Sequence, residues 1–300
     1  TTINQENPDL FLSYSFPSNL LIKNKKTKKV FYMNHYPHFL YLNFKEKIEW
    51  ATSTQGIKRW IAVALSLFLG NFLKNLDRKL VTQNNLIFSN SSFTKKKLDK
   101  IYGINSILSY PPIDPVFIPS KRKFQNKFIF SSSRIIPDKK YEWLIESLTH
   151  CENKLPLYIA GSVNNDYKKK LLNLAKSKKV ELKFLGRIST NEIVKHYSNA
   201  EVFAFSTPQE DFGLVPVESL ACGTPCIVWG DGAGPTEQII DGENGFLANP
   251  YDLKDFAIKI DKCLNTHLKL KNRKKILDSS RKFSFNEVKK GFIEEIQKLR

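Results

Sequence analysis

Glu210 and Glu218, separated by seven residues, stand in the stretch STPQEDFGLVPVESLACGTPCIVWG (206–230), the most chemically informative part of the chain. An apolar run ends near Thr207, a loop carries Glu210 and Gly213, and a helix is expected from about Leu214 with Glu218 just inside it. At the start of such a helix the amides of Phe212, Gly213 and Leu214 would point outward. Unpaired N–H groups and the helix dipole suit phosphate or sugar oxygens. A carboxylate about one turn in, at Glu218, can accept both hydroxyls of a ribose, as acidic residues do in dinucleotide-binding folds. Taken alone, Glu218 reads equally well as a carboxylate that stabilises a helix N-terminus.

The elements that must position these groups follow from periodicity. From residue 127 onward, short apolar runs alternate with helical patterns: KFIFSSS (127–133), KKYEWLIESL (139–148), LPLYIAG (155–161), DYKKKLLNLAKSK (166–178), VELKFLG (180–186) and TNEIVKHYSNA (190–200). EVFAFST (201–207), a helix around 214–222, TPCIVWG (224–230) and a short helix PTEQII (235–240) continue the cycle. Strands separated by single helices must be parallel, so this part is expected to be a doubly wound α/β domain. Ligands of such domains bind beyond the C-terminal strand ends, which directs attention to the loops at 132–140, 161–166, 186–190, 206–213 and 230–234. The first part is similar in kind, with apolar segments at 9–15, 29–39 and 79–103 and at 105–115, and helices expected at 58–76 and 93–101. DPVFIPSKRKFQN (114–126), rich in Pro and basic residues, is the expected boundary. The domains are therefore placed at 1–118 and 119–283, with a C-terminal helix at 284–300 that crosses back to the first.

Three hundred residues allow about two domains. The four cysteines make no paired zinc motif, and Cys222 and Cys226 read as small core residues, with a reducing cytoplasm as the expected setting. A net charge of +18 raises polyanions as partners. Residues 1–118 hold 16 Lys and Arg against 7 Asp and Glu, the denser share. The apolar run WIAVALSLFLGNFL (60–73) is too short to span a bilayer. Flanked by Lys58, Arg59, Lys74, Arg78 and Lys79, it reads either as a helix lying on an anionic membrane surface or as a core helix with charged ends. The opening TTINQENPDL has neither an initiator Met nor a basic-then-apolar leader.

The spacing Glu210 to Glu218 in EDFGLVPVESLACGTP resembles the signature of the retaining glycosyltransferases of family 4. SSSRIIPDKKYEWLIESL (131–148) is similar to that family's arginine loop and helix, and the resemblance puts Arg134 and Lys139 on the donor diphosphate. Residues 180–207, 232–247 and 86–117 are similar to further family segments, so the likeness covers about 29–250. The family implies the GT-B fold, in which two Rossmann-like doubly wound domains face a cleft. It also implies a nucleotide-sugar donor, a glycan or lipid-linked acceptor, and front-face departure of the nucleoside diphosphate. By the same resemblance Glu210 contacts the sugar, Glu218 the ribose, Gly161 and the Phe212 to Leu214 amides the donor, and His35 the transferred sugar, with His38 as its register alternative. FGLVPVE and the HYP segment look most like mannosyltransferases using GDP-mannose. The chain departs from the pattern in three places. Lys140 replaces the glycine usual after the lysine, the loop after Gly161 lacks a glycine-proline pair, and the family's first strand and glycine-rich loop have no counterpart before residue 9. An initial segment of several tens of residues is expected to be missing, leaving the N-domain truncated.

No Asp-x-Asp occurs, so no metal is expected; Arg134 and Lys139 would neutralise the diphosphate as fixed charges. No cofactor beyond the donor, and no nucleic acid, is expected, in a cytoplasmic enzyme that makes peripheral contact with an anionic membrane. Two rival readings are a nucleotide-sugar epimerase of the same fold and a basic membrane- or nucleic-acid-binding protein.

Overall fold

In the computed structural model, residues 9–15, 18, 27–52 and 57–299 are described; the opening residues 1–8 and most of the basic cluster at 23–29 lie outside them. The chain forms two units, one of residues 1–110 with 289–300, the other of residues 111–288. The division falls at Tyr110 and Pro111, ahead of the Pro- and Lys-rich stretch, because that stretch is fastened to the second unit. Ser120 N–H donates to Ser198 Oγ (2.9 Å), Phe124 N–H donates to Asn199 Oδ1 (2.8 Å), and Phe117 packs edge-on against Tyr197.

The first unit carries β1 (Leu10–Tyr14) and β2 (Lys28–Met33), then helices α1 (His38–Tyr41), α2 (Phe44–Thr52), α3 (Lys58–Phe68) and α4 (Gly70–Thr82). β3 (Leu86–Ser89), α5 (Ser92–Tyr102) and β4 (Ile107–Leu108) complete a four-stranded parallel sheet in the order β1-β2-β3-β4. The helix expected at 58–76 is thus two helices reaching Thr82, interrupted at Leu69, whose φ of −117° leaves the helical region just before Gly70. β2 ends at Met33, well short of Phe39, and the backbone turns into α1 after Pro37. One face of the sheet buries Phe31, Met33 and Ile87 with Val81, Leu98 and Tyr102; the other buries Val30, Tyr32 and Phe88 against Phe292, Ile296 and Leu299. Phe292, on the last helix, lies 4.5 Å from the Phe88 ring centroid.

In the second unit, β5 (Ile129–Ser132), α6 (Tyr141–His150), β6 (Leu157–Ala160), α7 (Asn165–Ser177), β7 (Leu182–Gly186), α8 (Thr190–Asn199) and β8 (Val202–Phe205) alternate. α9 (Leu214–Ala221), β9 (Cys226–Trp229), β10 (Gly245–Ala248) and α10 (Leu253–Asn265) follow, then α11 (Leu268–Lys271) and α12 (Arg273–Ser279); the last helix, α13 (Phe285–Gln297), belongs to the first unit from Lys289 onward. A 3-10 turn over Arg281–Phe283 follows α12, and PTEQII, expected as a short helix, is a 3-10 turn over Gly234–Gln238. All six strands are parallel, in the order β10-β9-β8-β5-β6-β7. Helices cover both faces, which is why the strands are continuous apolar runs rather than alternating ones. Ile129, Val202, Ala204, Ile227 and Trp229 enter one core, while Phe130, Phe203, Phe205, Cys226 and Val228 enter the other, following the two-residue period of a strand. All four cysteines are free and buried. The architecture is α/β with two Rossmann-like parallel-sheet units, that of GT-B proteins.

Candidate active site

The strand order of the second unit reverses between β5 and β8, because β5 leads to β6 and β7 on one side while β8, β9 and β10 fill the other. In open parallel sheets this switch point is where the loops diverge and leave a crevice at the carboxyl ends of the strands. The loop after β5 carries Arg134 and Lys139, and the loop after β8 carries Glu210 to Gly213. Across that point Lys139 Nζ lies 2.6 Å from Glu210 Oε2. Arg134 is exposed on the same loop.

Several local devices hold these loops in place. Lys139 ends a 3-10 turn, Pro137–Lys139, and Lys140 takes the left-handed conformation (φ 52°, ψ 42°) that starts α6. The turn that glycine usually makes is therefore kept here by a lysine, at a steric cost on the order of 1 kcal/mol. Ser206 Oγ lies within hydrogen-bond distance of the carbonyls of Lys139 and Lys140, 3.2 and 3.0 Å away, and Trp229 Nε1 donates to Ser206 O (2.9 Å). These bonds tie β8 and β9 to the turn below Lys139. Gly161 has φ 148°, and a Cβ placed there would come 1.7 Å from Ser133 O. Only a residue without a side chain lets the backbone before Arg134 pass, after which Ile135 N–H donates to Ser162 O (2.7 Å).

On the other wall, Gly234 N–H donates to Glu210 O (2.9 Å), and Gln238 Nε2 donates to the carbonyls of Phe212 and Gly213 (2.6 and 3.0 Å). The Glu210 loop is thereby clamped by the segment after β9. A Cβ on Gly234 would lie 2.3 Å from Asp211 O, so that clamp also needs a glycine. Phe212 turns its ring into the core against Phe283, leaving its backbone as the part that can face a ligand. Gly213 (φ 76°) precedes α9 with no side-chain cap, and Leu214, the first helical residue, is exposed.

Glu218 sits one turn into α9, partly buried. Tyr197, wholly enclosed on α8, donates its hydroxyl hydrogen to Glu218 Oε2 (2.8 Å). Ser132, at the end of β5, must then donate to the tyrosine oxygen (2.6 Å), since the tyrosine has only one hydrogen to give. Burial pushes the Glu218 carboxyl up to about 7, against the lowering effect of the Tyr197 bond and with a smaller raising effect from Asp114. Neither Tyr197 nor Ser132 stands out in sequence, because a Tyr on a helix and a Ser at a strand end read as core and turn residues. Ser206, Gly234 and Gln238 were equally unmarked.

His35 and His38 belong to the first unit, beyond the end of β2. Their rings are 6.1 Å apart, and the His38 ring stacks on Tyr36 at 4.6 Å. Burial lowers both, His38 to about 4 with help from His35, Lys97 and Arg59, so His38 is neutral near pH 7. Among the described residues no group of three or more His, Cys, Asp or Glu could hold a metal ion.

The model of the glycosyl transferases group 1 family matches residues 115–283, more than half of the chain. This chain belongs to that family. The match spans both loops of the switch point and α9, and it does not favour reading the protein as a nucleic-acid binder. Among curated proteins, the group 1 chain is 32% identical over 176 residues to a probable sucrose-phosphate synthase of Thermosipho melanesiensis, covering 54% of this chain and 40% of that protein. It is 26% identical over 222 residues to the serotype-specific mannosyltransferase WbdA of Escherichia coli, covering 69% of this chain and 27% of that one. The chain thus spans less than half the length of these relatives. Crystal structures of HepE from Anabaena, solved with UDP and with UDP-glucose, superpose with TM-scores of 0.68 and 0.65 at 20% identity, covering 90% of this chain and 78% of that one.

Proposed function

We propose that this group 1 chain is a retaining glycosyltransferase of family 4 that moves a sugar from a nucleotide-diphosphate donor to a glycan or lipid-linked acceptor, with mannose from GDP-mannose as the preferred donor. The observation that carries the reading is the Lys139–Glu210 pair across the switch point, with Glu218 on the helix behind it. The WbdA likeness supports mannose, and the UDP-glucose bound to HepE supports a nucleotide-sugar donor.

In the mechanism that follows, the donor diphosphate lies between Arg134, Lys139 and the uncapped start of α9. Two cationic side chains and outward N–H groups aimed at the leaving group stabilise its developing charge without rearrangement, and no metal is required. Lys139 exchanges part of its contact with Glu210 for phosphate oxygens, which releases that carboxylate to face the sugar and stabilise positive charge near its ring. Glu218, ionised, accepts the ribose hydroxyls, while Tyr197 holds one of its oxygens in place. His35 is proposed to meet the transferred sugar.

Thermal-shift screening against GDP-, UDP- and ADP-sugars tests this directly, because a ligand selective for the folded state raises the melting temperature. GDP-mannose is expected to give the largest shift. A larger shift with a UDP- or ADP-sugar would replace the donor, and no shift with any nucleotide would overturn the reading. Product formation with inverted anomeric configuration would remove the retaining mechanism.

A further inference from the structure

α3 is turned the wrong way for a core helix. It buries Val63 and Ser66 and exposes its large apolar residues: Trp60, Ile61, Leu65, Leu67 and Phe68. Phe68 is 87% exposed and, just before the helix, Ile57 is 71% exposed. The face continues over the break at Leu69 into α4 through Phe72 (66% exposed) and Leu76. Ile57, Ile61 and Leu65 are spaced by four along α3, as are Phe72 and Leu76 along α4, so each helix carries an exposed apolar stripe. Large contiguous apolar surfaces on soluble proteins mark a partner or a membrane.

The exposed charges carried by α3 and α4 themselves are of one sign. Between residues 57 and 82 there are five basic residues, Lys58, Arg59, Lys74, Arg78 and Lys79, and a single acid, Asp77. Asp77 points inward, accepting hydrogen bonds from the hydroxyls of Tyr41 and Tyr102 at 2.7 Å each. Lys58, Arg78 and Lys79 are exposed, near the two ends of the apolar stripe. A second copy docking on this face would bring the same cations against themselves, whereas an anionic headgroup layer complements them. No helix among the described residues is long and apolar enough to cross a membrane, so any bilayer contact made here lies along the surface.

We infer that the exposed face of α3 and α4 is a docking surface for an anionic lipid bilayer, with Trp60, Phe68 and Phe72 entering the headgroup boundary and Lys58, Arg78 and Lys79 meeting the lipid phosphates. The inference is independent of the sugar-transfer reading, because none of these residues lies in the second unit.

The test is co-sedimentation of the protein with vesicles of phosphatidylcholine alone and of phosphatidylcholine with phosphatidylglycerol. The parent is expected to sediment with the anionic vesicles only, and binding should fall as salt screens the headgroups. Each basic residue near such a surface is worth about fivefold in partitioning, so Arg78→Glu with Lys79→Glu should weaken binding at least tenfold. Phe68→Asp with Phe72→Asp should abolish it and leave the melting temperature unchanged, since both side chains are already in water. Should that apolar variant fold poorly, the charge-reversed variant still decides the matter. Absence of parent binding at low salt, or equal binding by parent and variants, overturns the proposal. So does a parent that is dimeric by light scattering, binds no vesicles, and becomes monomeric in Phe68→Asp with Phe72→Asp; the face would then belong to a second copy.

Discussion

Replacing Glu218 with Gln should make the ligand-free protein more stable at pH 8 while weakening its donor binding. Burial raises the Glu218 carboxyl from 4.5 to about 7, so the folded protein prefers the protonated form. At 1.36 kcal/mol for each tenfold change, holding the carboxylate ionised in the fold costs about 3 kcal/mol. The sign follows from proton linkage. Between pH 4.5 and 7 the folded state binds more protons than the unfolded one, so stability falls as pH rises through that window and is level above it. Glutamine carries no such cost and still offers an amide oxygen to the Tyr197 hydroxyl. At pH 8 the Glu218→Gln protein should therefore gain up to about 3 kcal/mol, roughly 6–12 °C in melting temperature for a domain of this size. At pH 4.5 the gain should shrink to about a few tenths of a kcal/mol, because the parent is then protonated when folded. Scanning calorimetry of both proteins across this range reads the difference, and nucleotide affinity by titration calorimetry should drop in the variant. A variant that melts no higher than the parent at pH 8, or an offset that does not vary with pH, would refute the assignment of Glu218 as a strained, buried carboxylate.

Further expectations can be checked with the same tools. Donor affinity should weaken about tenfold per pH unit below about 7, as Glu218 takes up its proton, and Glu218→Gln should lose that dependence. Lys140→Gly should stabilise the protein by up to about 1 kcal/mol, seen as a higher midpoint in urea, because φ 52° costs a lysine what it does not cost a glycine. Gly161→Ala should destabilise by several kcal/mol and reduce turnover as well, since the Ser133 carbonyl stands where the new methyl would go and Arg134 follows it directly. Arg134→Ala should lower turnover with little change in melting temperature, its side chain being exposed. Transfer measured in EDTA should match transfer without it; loss restored by Mn²⁺ or Mg²⁺ would contradict the fixed-cation mechanism.

The second unit was legible because its strands are buried on both faces and so announce themselves as short apolar blocks, each closed by a Gly or Ser. Ile129 and Phe130, or Val202 and Phe203, enter opposite cores yet look alike in sequence. The Glu210 loop and α9 were legible for a different reason, their residue spacing. What could not be read were the links that hold the site. Tyr197 reaches Glu218 from 21 residues away, and Ser132 meets Tyr197 across 65, so no local pattern encodes either bond. The orientation of α3 was also hidden, because a periodic apolar stripe has the same sequence whether it faces a core or water. The break at Leu69 and the 3-10 turns show the usual limit of periodicity, which gives an element's presence better than its ends.

The chain leaves the first unit at Tyr110 and returns to it only from Lys289, and this sets an order of events during synthesis. Residues 111–288 are contiguous and can close their sheet as soon as they clear the ribosome. The first unit, although made earlier, must wait with Val30, Tyr32 and Phe88 uncovered until Phe292, Ile296 and Leu299 emerge. A stop codon shortly after residue 288 would thus leave the whole switch-point crevice encoded yet strand a half-covered sheet in the first unit. Such a product should be recognised by its tendency to aggregate rather than by a change in nucleotide binding.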